Sequence, residues 1–533
     1  MGVTSSRQDD AQASEIRSLE SRLSSLEDLP ALRALFSRLT NSSNLIPLDV
    51  LKENFKLEVG DLQCSPDSQL DILRQNVGFG IVDTIFHTEE NGVSWKFFLK
   101  GIEKCHQPSI SMKLCLLFSF FYNLRKRAEL PLSFSFESED FNLLPQAGLT
   151  GHITYLELQD FIWLCWLMEY VTRPKESNSS LHLPSVDSII KSAQMACTDN
   201  SVDKSKFPVE KLQKWMLRAI PRLPFSLFNF IQSRVCQIPV STQDNSVSSD
   251  AEEQPNLQTS EGSIKNQLLG PSIAWAVGLS LLDTLGAKIL SCSFSWNPDV
   301  TSLLYRSAIH GKGMNRFWVQ MEGYNGAVLI LIQGYTLNTS ENNVSTDSAE
   351  EKWLLGAIVS DGFVNKNGFY GDRNCCIFSL QPVTHPFRPS GRGSNFVYSH
   401  SHVGTSASYL QQQRGPQGIA FGGSIGKERV FLDEDFMHIF IRHHAIDKTY
   451  EPGQLLPDQG YQVIKGKVTE VEAWGFGGAE TREKQAQYQN RKDLFVEQKR
   501  KVDLQSFGNW ADSPEKMMLD MVSDPNKVQR EER

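Results

Sequence analysis

The hydrophobic pattern of the chain changes its period once, and this change constrains the fold more than any other feature. Before Cys236, apolar residues recur every three or four positions, which is typical of packed helices. From Asn315 to Trp474 they alternate in short runs between turn residues, which is typical of antiparallel strands. Residues 237–270, between the two patterns, are rich in Ser, Asp, Glu and Gln, as in a solvated linker. The sequence therefore predicts an α+β chain.

This division, together with the two ends of the chain, predicts five segments. Residues 1–28 form an N-terminal segment with a short helix, and residues 29–236 form a helical domain. Residues 237–270 are the linker, which we expect to be disordered. Residues 271–476 form an antiparallel two-sheet β-sandwich with flanking helices, and residues 477–533 form a charged C-terminal helix and tail.

Composition argues against several classes of protein. The 533 residues carry a formal net charge of −9, which argues against a broad surface for nucleic acid. The nine cysteines include no CxxC pair, so we expect reduced thiols rather than a zinc ribbon or a disulfide scaffold. No stretch has the roughly 18 clean apolar residues of a membrane-spanning helix. We therefore expect a cytoplasmic protein without a nucleic-acid partner.

The N-terminus carries a lipidation signal. Residues Met1 to Ser6 fit the M-G-x-x-x-[ST] pattern, in which Gly2 is myristoylated after removal of Met1. A single myristoyl chain binds a membrane only marginally, so stable attachment requires a second contact. The segment has neither a nearby cysteine nor a polybasic cluster to supply that contact. We therefore expect a protein partner on the membrane to supply it.

The helical domain is predicted to contain EF-hand-like helix pairs. Four links place an apolar residue before a helix start, as in the exit half of an EF-hand: Asn44–Leu51, Gly92–Leu99, Gly151–Leu158 and Lys206–Leu212. In the best loop, Glu157 stands at position 12, but Gln146, Gly148 and Thr150 occupy positions 1, 3 and 5 without a carboxylate. In a second loop, residues 199–210, Lys204 stands at the glycine position. We expect no useful calcium affinity and no metal cofactor.

Strand signals dominate the second region. We expect Asn315–Ile332 to form two strands around Tyr324-Asn325-Gly326, because Asn-Gly is the strongest short hairpin signal. Further strands are expected near residues 353–359, 374–380, 418–421, 429–432, 437–443 and 469–474. Many short strands with few helices indicate an antiparallel sandwich of about 200 residues.

The C-terminal segment combines balanced charge with apolar anchors. Glu480–Leu504 contains neither Pro nor Gly and is predicted to be a long solvated helix. Apolar side chains stand out in this polar setting at Phe495, Phe507, Trp510 and Met518. A segment with so little core of its own either docks back onto the protein or binds a partner. We expect these four residues to contact a partner.

We find no sequence motif that identifies the chain as an enzyme. Ser307, His310 and Glu472 could supply a nucleophile, a base and an orienting group, but the sequence does not bring them together. The His400-Ser401-His402 triplet lacks acidic or cysteine ligands at a supporting spacing. We therefore expect no catalytic residues and no cofactor, and an enzyme that uses the three polar residues stays open as the alternative.

The strand region resembles the TLDc domain family. The resemblance covers roughly residues 270–476 and is carried by an ordered series of motifs: Leu303–Gly311, Leu355–Val359, Cys376–Pro382, Ile419–Gly423 and Val471–Phe476. The family likeness implies a two-sheet sandwich with flanking helices. It also implies no settled enzymatic reaction, although some members are linked to oxidation resistance.

The order of the segments is similar to that of a lysosomal, MTOR-associated member of this family. That layout comprises a myristoylation signal, a degenerate EF-hand-like region, a TLDc domain and a charged C-terminal helix. The resemblance implies a non-catalytic regulator on the cytosolic face of the lysosomal or vacuolar membrane. It also implies binding to peripheral subunits of the vacuolar-type proton ATPase, with a contribution from the C-terminal helix.

Overall fold

A computed structural model describes twelve stretches of the chain. They are residues 3–25, 29–60, 68–89, 92–136, 148–173, 181–197, 205–236, 267–295, 301–337, 352–401, 415–457 and 459–508. For residues 3–11 and 502–508 the backbone alone is described. Most of the expected linker, residues 237–266, lies outside these stretches.

The chain before the linker is helical, as its periodicity predicts. Its helices are α1 (Val3–Leu23), α2 (Leu29–Leu39), α3 (Leu48–Asn54), α4 (Leu70–Gln75), α5 (Val77–Ile85), α6 (Trp95–Cys105), α7 (Ile110–Arg127), α8 (Tyr155–Val171), α9 (Asp187–Cys197), α10 (Val209–Ala219) and α11 (Phe225–Cys236). Three short strands, β1 (Phe134–Phe136), β2 (Leu149–Thr154) and β3 (Lys206–Pro208), form a small antiparallel sheet among them. The helices share one apolar core.

The links between these helices pair as EF-hand loops do. Ile46 and Val93 exchange two backbone hydrogen bonds, of 3.0 and 2.9 Å. Ile153 of β2 lies opposite Phe207 of β3 in the small sheet. Each pairing joins two loops that precede a helix, so the chain contains two EF-hand-like pairs. All four of these apolar residues are fully buried.

An arginine guanidinium neutralises the carboxylate at the end of the best candidate loop. Glu157 accepts from the backbone N–H of Thr154 (2.7 Å), and Thr154 caps α8 in return. The Glu157 carboxylate also pairs with Arg125 at 2.8 Å, and both side chains are largely withdrawn from water. Burial lowers the pKa of Arg125 and raises the pKa of the neighbouring Asp160. The charge that a calcium ligand would provide is therefore already paired.

The chain after the linker forms one antiparallel sheet with helices at its edges. The helices are α12 (Pro271–Ser280), α13 (Thr284–Ser291), α14 (Ser307–His310), α15 (Met314–Met321) and α16 (Gly478–Gly508). The strands are β4 (Ser302–Arg306), β5 (Val328–Thr336), β6 (Lys352–Val359), β7 (Lys366–Tyr370), β8 (Cys376–Gln381), β9 (His385–Phe387), β10 (Val397–His400), β11 (Gly418–Ser424), β12 (Lys427–Asp433), β13 (His438–Ile441) and β14 (Ile464–Gly475). These elements confirm the α+β class.

The two halves of this sheet curl around a common core. In the described residues eleven strands are connected in the order β7-β10-β11-β12-β13-β14-β5-β6-β8-β9, with β4 paired to β14. Residues of β5 such as Ile330 and residues of β12 such as Leu432 belong to the same buried cluster. The two layers of the expected sandwich are thus parts of one continuous hydrogen-bonded sheet.

The expected hairpin over Asn315–Ile332 is wrong in its first half. Met314–Met321 is helix α15, and β5 begins only at Val328. Met314, Phe317, Trp318 and Met321 are buried and recur at helical spacing. The Phe317 ring packs edge-on against other core rings, at 5.1 Å from that of Phe363. Burial of this helical face outweighs the local turn signal of Asn-Gly.

Helix α12 joins the helical core to the sheet. Its side chains Trp275 and Leu279 are part of the helical core, whereas Ile273 and Val277 pack on the outer face of the sheet. All residues of the helix from Ile273 to Ser280 are buried. The helix is therefore apolar on every side because it has a partner on every side.

Arginine side chains close the junction around this helix. Arg222, which follows α10, donates to the carbonyl oxygen of Leu281 at 2.7 Å. Arg388, which follows β9, donates to the carbonyl oxygens of Arg218 and Ser280, both at 2.5 Å. These bonds satisfy backbone carbonyls at the ends of helices, which would otherwise lack a partner. The helical region and the sheet thus share polar contacts as well as a core.

We predict that Arg125→Ala destabilises the protein by about 3–5 kcal/mol, because it leaves the buried Glu157 without its cation. The double variant Arg125→Met, Glu157→Gln should lose less than the sum of the two single variants, since neither charge then remains unpaired. Equilibrium unfolding in urea measures both values. Lys126→Ala on the exposed face of α7 is the control, with a change within about 0.5 kcal/mol. An Arg125→Ala variant as stable as this control would contradict the pairing.

Candidate functional site

The long C-terminal helix begins at the edge of the sheet and is fixed there by its first turns. The backbone N–H of Gly477, between β14 and α16, donates to the Tyr324 hydroxyl at 2.7 Å. The hydroxyl of Thr481 in turn donates to the carbonyl oxygen of Gly477 at 2.9 Å. Gly477 approaches Gly326 so closely that a Cβ atom on Gly326 would lie 2.8 Å from it. These contacts set the direction in which α16 leaves the sheet.

A second set of contacts holds α16 against the turn that follows α15. The Gln485 side chain is 1% exposed and donates to the carbonyl oxygen of Gln320 at 2.7 Å. Glu322 accepts from the Tyr488 hydroxyl at 3.0 Å and forms an ion pair with Lys492. The Tyr488 ring covers Gly323, whose φ of +82° favours glycine and where a Cβ would lie 2.7 Å from that ring. One face of α16 is therefore docked.

Between Lys492 and Lys501 the helix lies in solvent. Every described side chain from Asn490 to Lys501 is exposed. Three consecutive apolar residues lie in this part, with Leu494 60% exposed, Phe495 68% and Val496 46%. Of the four predicted contact residues, Phe495 is thus an exposed apolar side chain on a docked helix. The side chain of Phe507, together with Trp510 and Met518, lies outside the described residues.

The docking residues carry a signal that sequence reasoning missed. Gln485, Tyr488 and Lys492 recur at intervals of three and four positions, so they share one face of the helix. We predicted the contact residues of this helix from their apolar side chains, whereas the docked face is polar and aromatic. Its partner Glu322 lies more than 160 residues away in sequence, so periodicity could not identify it.

A groove of about 750 Å³ lies between α16, the end of α15 and the loop that follows β6. Its apolar side includes Trp318, Phe363 and Val364, and its other side includes the α16 cations Lys484 and Arg491. The groove is continuous with the helix, so a partner that follows α16 would also meet this mixed apolar and basic surface.

The three polar residues considered as catalytic groups make structural contacts instead. Ser307 accepts from the backbone N–H of Val471 at 2.9 Å, and His310 Nδ1 accepts from the backbone N–H of Arg306 at 3.0 Å. Glu472 lies 3.2 Å from Arg306 Nε. In the described part of the chain, no hydrogen bond joins Ser307, His310 and Glu472 to one another. The arrangement of a nucleophile, a base and an orienting group is therefore not assembled.

Glu472 instead connects the sheet to the residues that lead into α12. Its Oε2 atom accepts from the backbone N–H of Leu268 at 3.0 Å and from Trp474 Nε1 at 2.9 Å. Burial raises the pKa of Glu472. This carboxylate fixes the chain where it enters the sheet region.

Cysteines and histidines do not form a metal centre in the described residues. No group of three His, Cys, Asp or Glu side chains there is arranged to hold a metal ion. The adjacent residues Cys375 and Cys376 are buried free thiols, and burial raises the pKa of Cys376 to about 12. The His400-Ser401-His402 triplet extends beyond the described residues at His402.

The first helix holds the N-terminal segment against the helical core. Leu19 and Leu23 of α1 are buried in that core. The Glu15 carboxylate lies 2.6 Å from both Lys96 and Lys100 of α6, and hydrogen bonds from these two lysines lower the pKa of Glu15 to about 2. Gly2 itself lies outside the described residues. Among the described helices, none is long and apolar enough to cross a membrane.

Comparison with known proteins identifies the sheet region. Residues 280–477 match the family model of the TLDc domain. A segment of 177 residues is 25% identical to the MTOR-associated protein MEAK7 of Danio rerio, covering 33% of this chain and 32% of that protein. A segment of 129 residues is 28% identical to the MTOR-associated protein MEAK7 of Homo sapiens, covering 24% and 25%. The chain thus matches about a third and a quarter of the length of these relatives.

Proposed function

Residues 280–477 form a TLDc domain, and from this premise we propose a function for the whole chain. The protein is a non-catalytic regulator that attaches to the lysosomal or vacuolar membrane from the cytoplasm. It binds peripheral subunits of the vacuolar-type proton ATPase and acts in MTOR-associated signalling. The names of the two MTOR-associated relatives support the signalling role. The resemblance of the segment order supports binding to the ATPase and location at that organelle.

The observation that carries the proposal is the geometry of α16. Glu322 binds Tyr488 and Lys492 of the helix. The Tyr324 hydroxyl accepts from the backbone N–H of Gly477 just before it. These contacts fix the first turns of the helix. From Lys492 to the end at Gly508 the helix continues for about 24 Å at 1.5 Å per residue. A helix held at one end and exposed from Asn490 to Lys501 is suited to enter a groove of a partner.

Phe495 is the anchor that we assign to this contact. It lies at the centre of the exposed apolar triplet and close to the docked base, so its position is set before a partner binds. Aromatic side chains that become fully desolvated in a partner groove each contribute about 2 kcal/mol or more. Because the helix is already ordered, little conformational entropy is lost on binding.

Membrane attachment would combine two weak contacts. The myristoyl group on Gly2 supplies one, and the ATPase supplies the other, since one acyl chain alone binds only marginally. Helix α1, which follows Gly2, is tied to α6 by the Glu15 ion pairs and by a pair between Arg22 and Glu103 at 3.2 Å. The acyl chain would therefore bring the folded helical region close to the membrane surface.

The polar residues Ser307, His310 and Glu472 have structural contacts. Ser307, His310 and Glu472 bind backbone groups and Arg306, and each stabilises a connection within the domain. Glu472 in particular holds the entry into α12. These residues maintain the platform from which α16 extends.

We predict that Phe495→Ala weakens binding to the purified peripheral sector of the proton ATPase by about 30-fold, the equivalent of about 2 kcal/mol. Because this side chain is 68% exposed, the melting temperature should stay within about 1 °C. Val319→Ala, which shortens an apolar side chain 62% exposed on α15, is the control and should bind as the wild type does. Unchanged binding by the Phe495→Ala variant, or a loss equalled by Val319→Ala, would contradict the assignment of the anchor.

We predict that Gly2→Ala shifts the protein partly from the membrane to the soluble fraction of eukaryotic cells, because the ATPase contact remains. Combining Gly2→Ala with Phe495→Ala should move nearly all of it, since both contacts are then lost. Fractionation of the four forms side by side measures the two effects. An intact mass of the wild-type protein without the added acyl group would overturn the lipidation hypothesis, whatever the fractions show.

A further inference from the structure

A cavity in the helical region is independent of the TLDc domain and of α16. It lies between the end of α6, helix α7 and helix α11, and it has a volume of about 240 Å³. Ile102, Phe228, Ile231 and Val235 supply its apolar walls. An apolar protein cavity of about 150 Å³ is large enough to bind benzene. This cavity is therefore large enough for a small organic ligand.

The lining of the cavity includes a lysine that forms no ion pair with a carboxylate of the described residues. Lys113 of α7 is half-buried in its lining, and its ammonium lies 4.5 Å from the centre of the Phe225 ring and 5.4 Å from that of Phe228. Among the described residues Lys113 forms no ion pair, and the lining of the cavity contains no Asp or Glu. Burial lowers the pKa of Lys113, while the nearby Cys105 thiol acts in the opposite direction.

A carboxylate that is hydrogen-bonded to the cavity lining is already neutralised. Asn229, which lines the cavity, donates to Glu169 at 3.2 Å. Glu169 is paired with Arg173 at 2.8 Å, and its side chain is almost fully buried. Glu169 therefore does not act as the counter-charge of the Lys113 ammonium. A partly dehydrated cation beside apolar walls such as Ile102, Phe228 and Val235 favours an anion with an apolar body.

We propose that this cavity binds a small apolar monocarboxylate, such as a medium-chain fatty acid. The carboxylate pairs with Lys113, and the hydrocarbon lies against Ile102, Phe228 and Val235. A carboxylate and an acyl chain together match both features of the cavity, its charge and its apolar walls. The chain's own N-terminal myristoyl group does not match, because its amide linkage carries no negative charge.

Calorimetric titration of the full-length protein with octanoate, below its micelle concentration, tests the proposal. Octanoate should bind at one site, and 1-octanol, which has the same chain without the charge, should bind at least about tenfold more weakly. This comparison uses the wild-type protein alone, so it does not depend on the folding of any variant. No saturable binding of octanoate, or equal binding of octanol, would overturn the proposal.

Variants of Lys113 separate the charge from the shape of the cavity. Lys113→Met keeps much of the aliphatic stem and should weaken octanoate binding about tenfold while leaving octanol binding unchanged. Lys113→Arg keeps the charge and should bind octanoate within about threefold of the wild type. Lys126→Met removes an exposed lysine of the same helix, outside the cavity, and should change nothing. Octanoate binding that Lys113→Met does not weaken would overturn the role of the cation.

Discussion

Burial of helix α12 on all sides is the constraint on which the rest of the structure depends. Trp275 and Leu279 complete the helical core, and Ile273 and Val277 complete the apolar cluster on the outer face of the TLDc sheet, so both of these clusters include this helix. Gly278 allows α13 to approach, since a Cβ there would lie 2.8 Å from Leu290. The EF-hand-like region and the TLDc domain are thus parts of one packed body.

This shared core gives the two exposed features of the molecule fixed positions. Helix α16 leaves the sheet at Gly477 and is held by Glu322, which belongs to the turn after α15. At the other end, α1 is held to α6 by Glu15. The proposed membrane contact at the N-terminus and the proposed partner contact on α16 would therefore act through a rigid connection. Two weak attachments to such a body reinforce each other without any further contact.

Short sequence patterns predicted some of the structural features correctly. The apolar loop positions predicted the EF-hand-like pairs, and Ile153 does lie opposite Phe207. The hairpin expected around Asn325 was wrong at Met314–Met321, because packing of Phe317 in the core outweighs a turn dipeptide. The sequence did not predict the polar contacts between residues that are far apart in the chain. The pairing of Arg125 with Glu157 and the docking of α16 on Glu322 join residues far apart in sequence, and no periodicity records them.

Native-state hydrogen exchange in increasing denaturant tests most directly whether α12 unites the two regions. Peptides from α8 in the helical core and from β5 in the sheet should reach the same free energy of opening as α12 itself, because each core requires that helix. The slowest amides of all three elements should then exchange in one cooperative step. Exchange of α8 at a clearly lower free energy, while α12 and β5 stay protected together, would contradict the shared core.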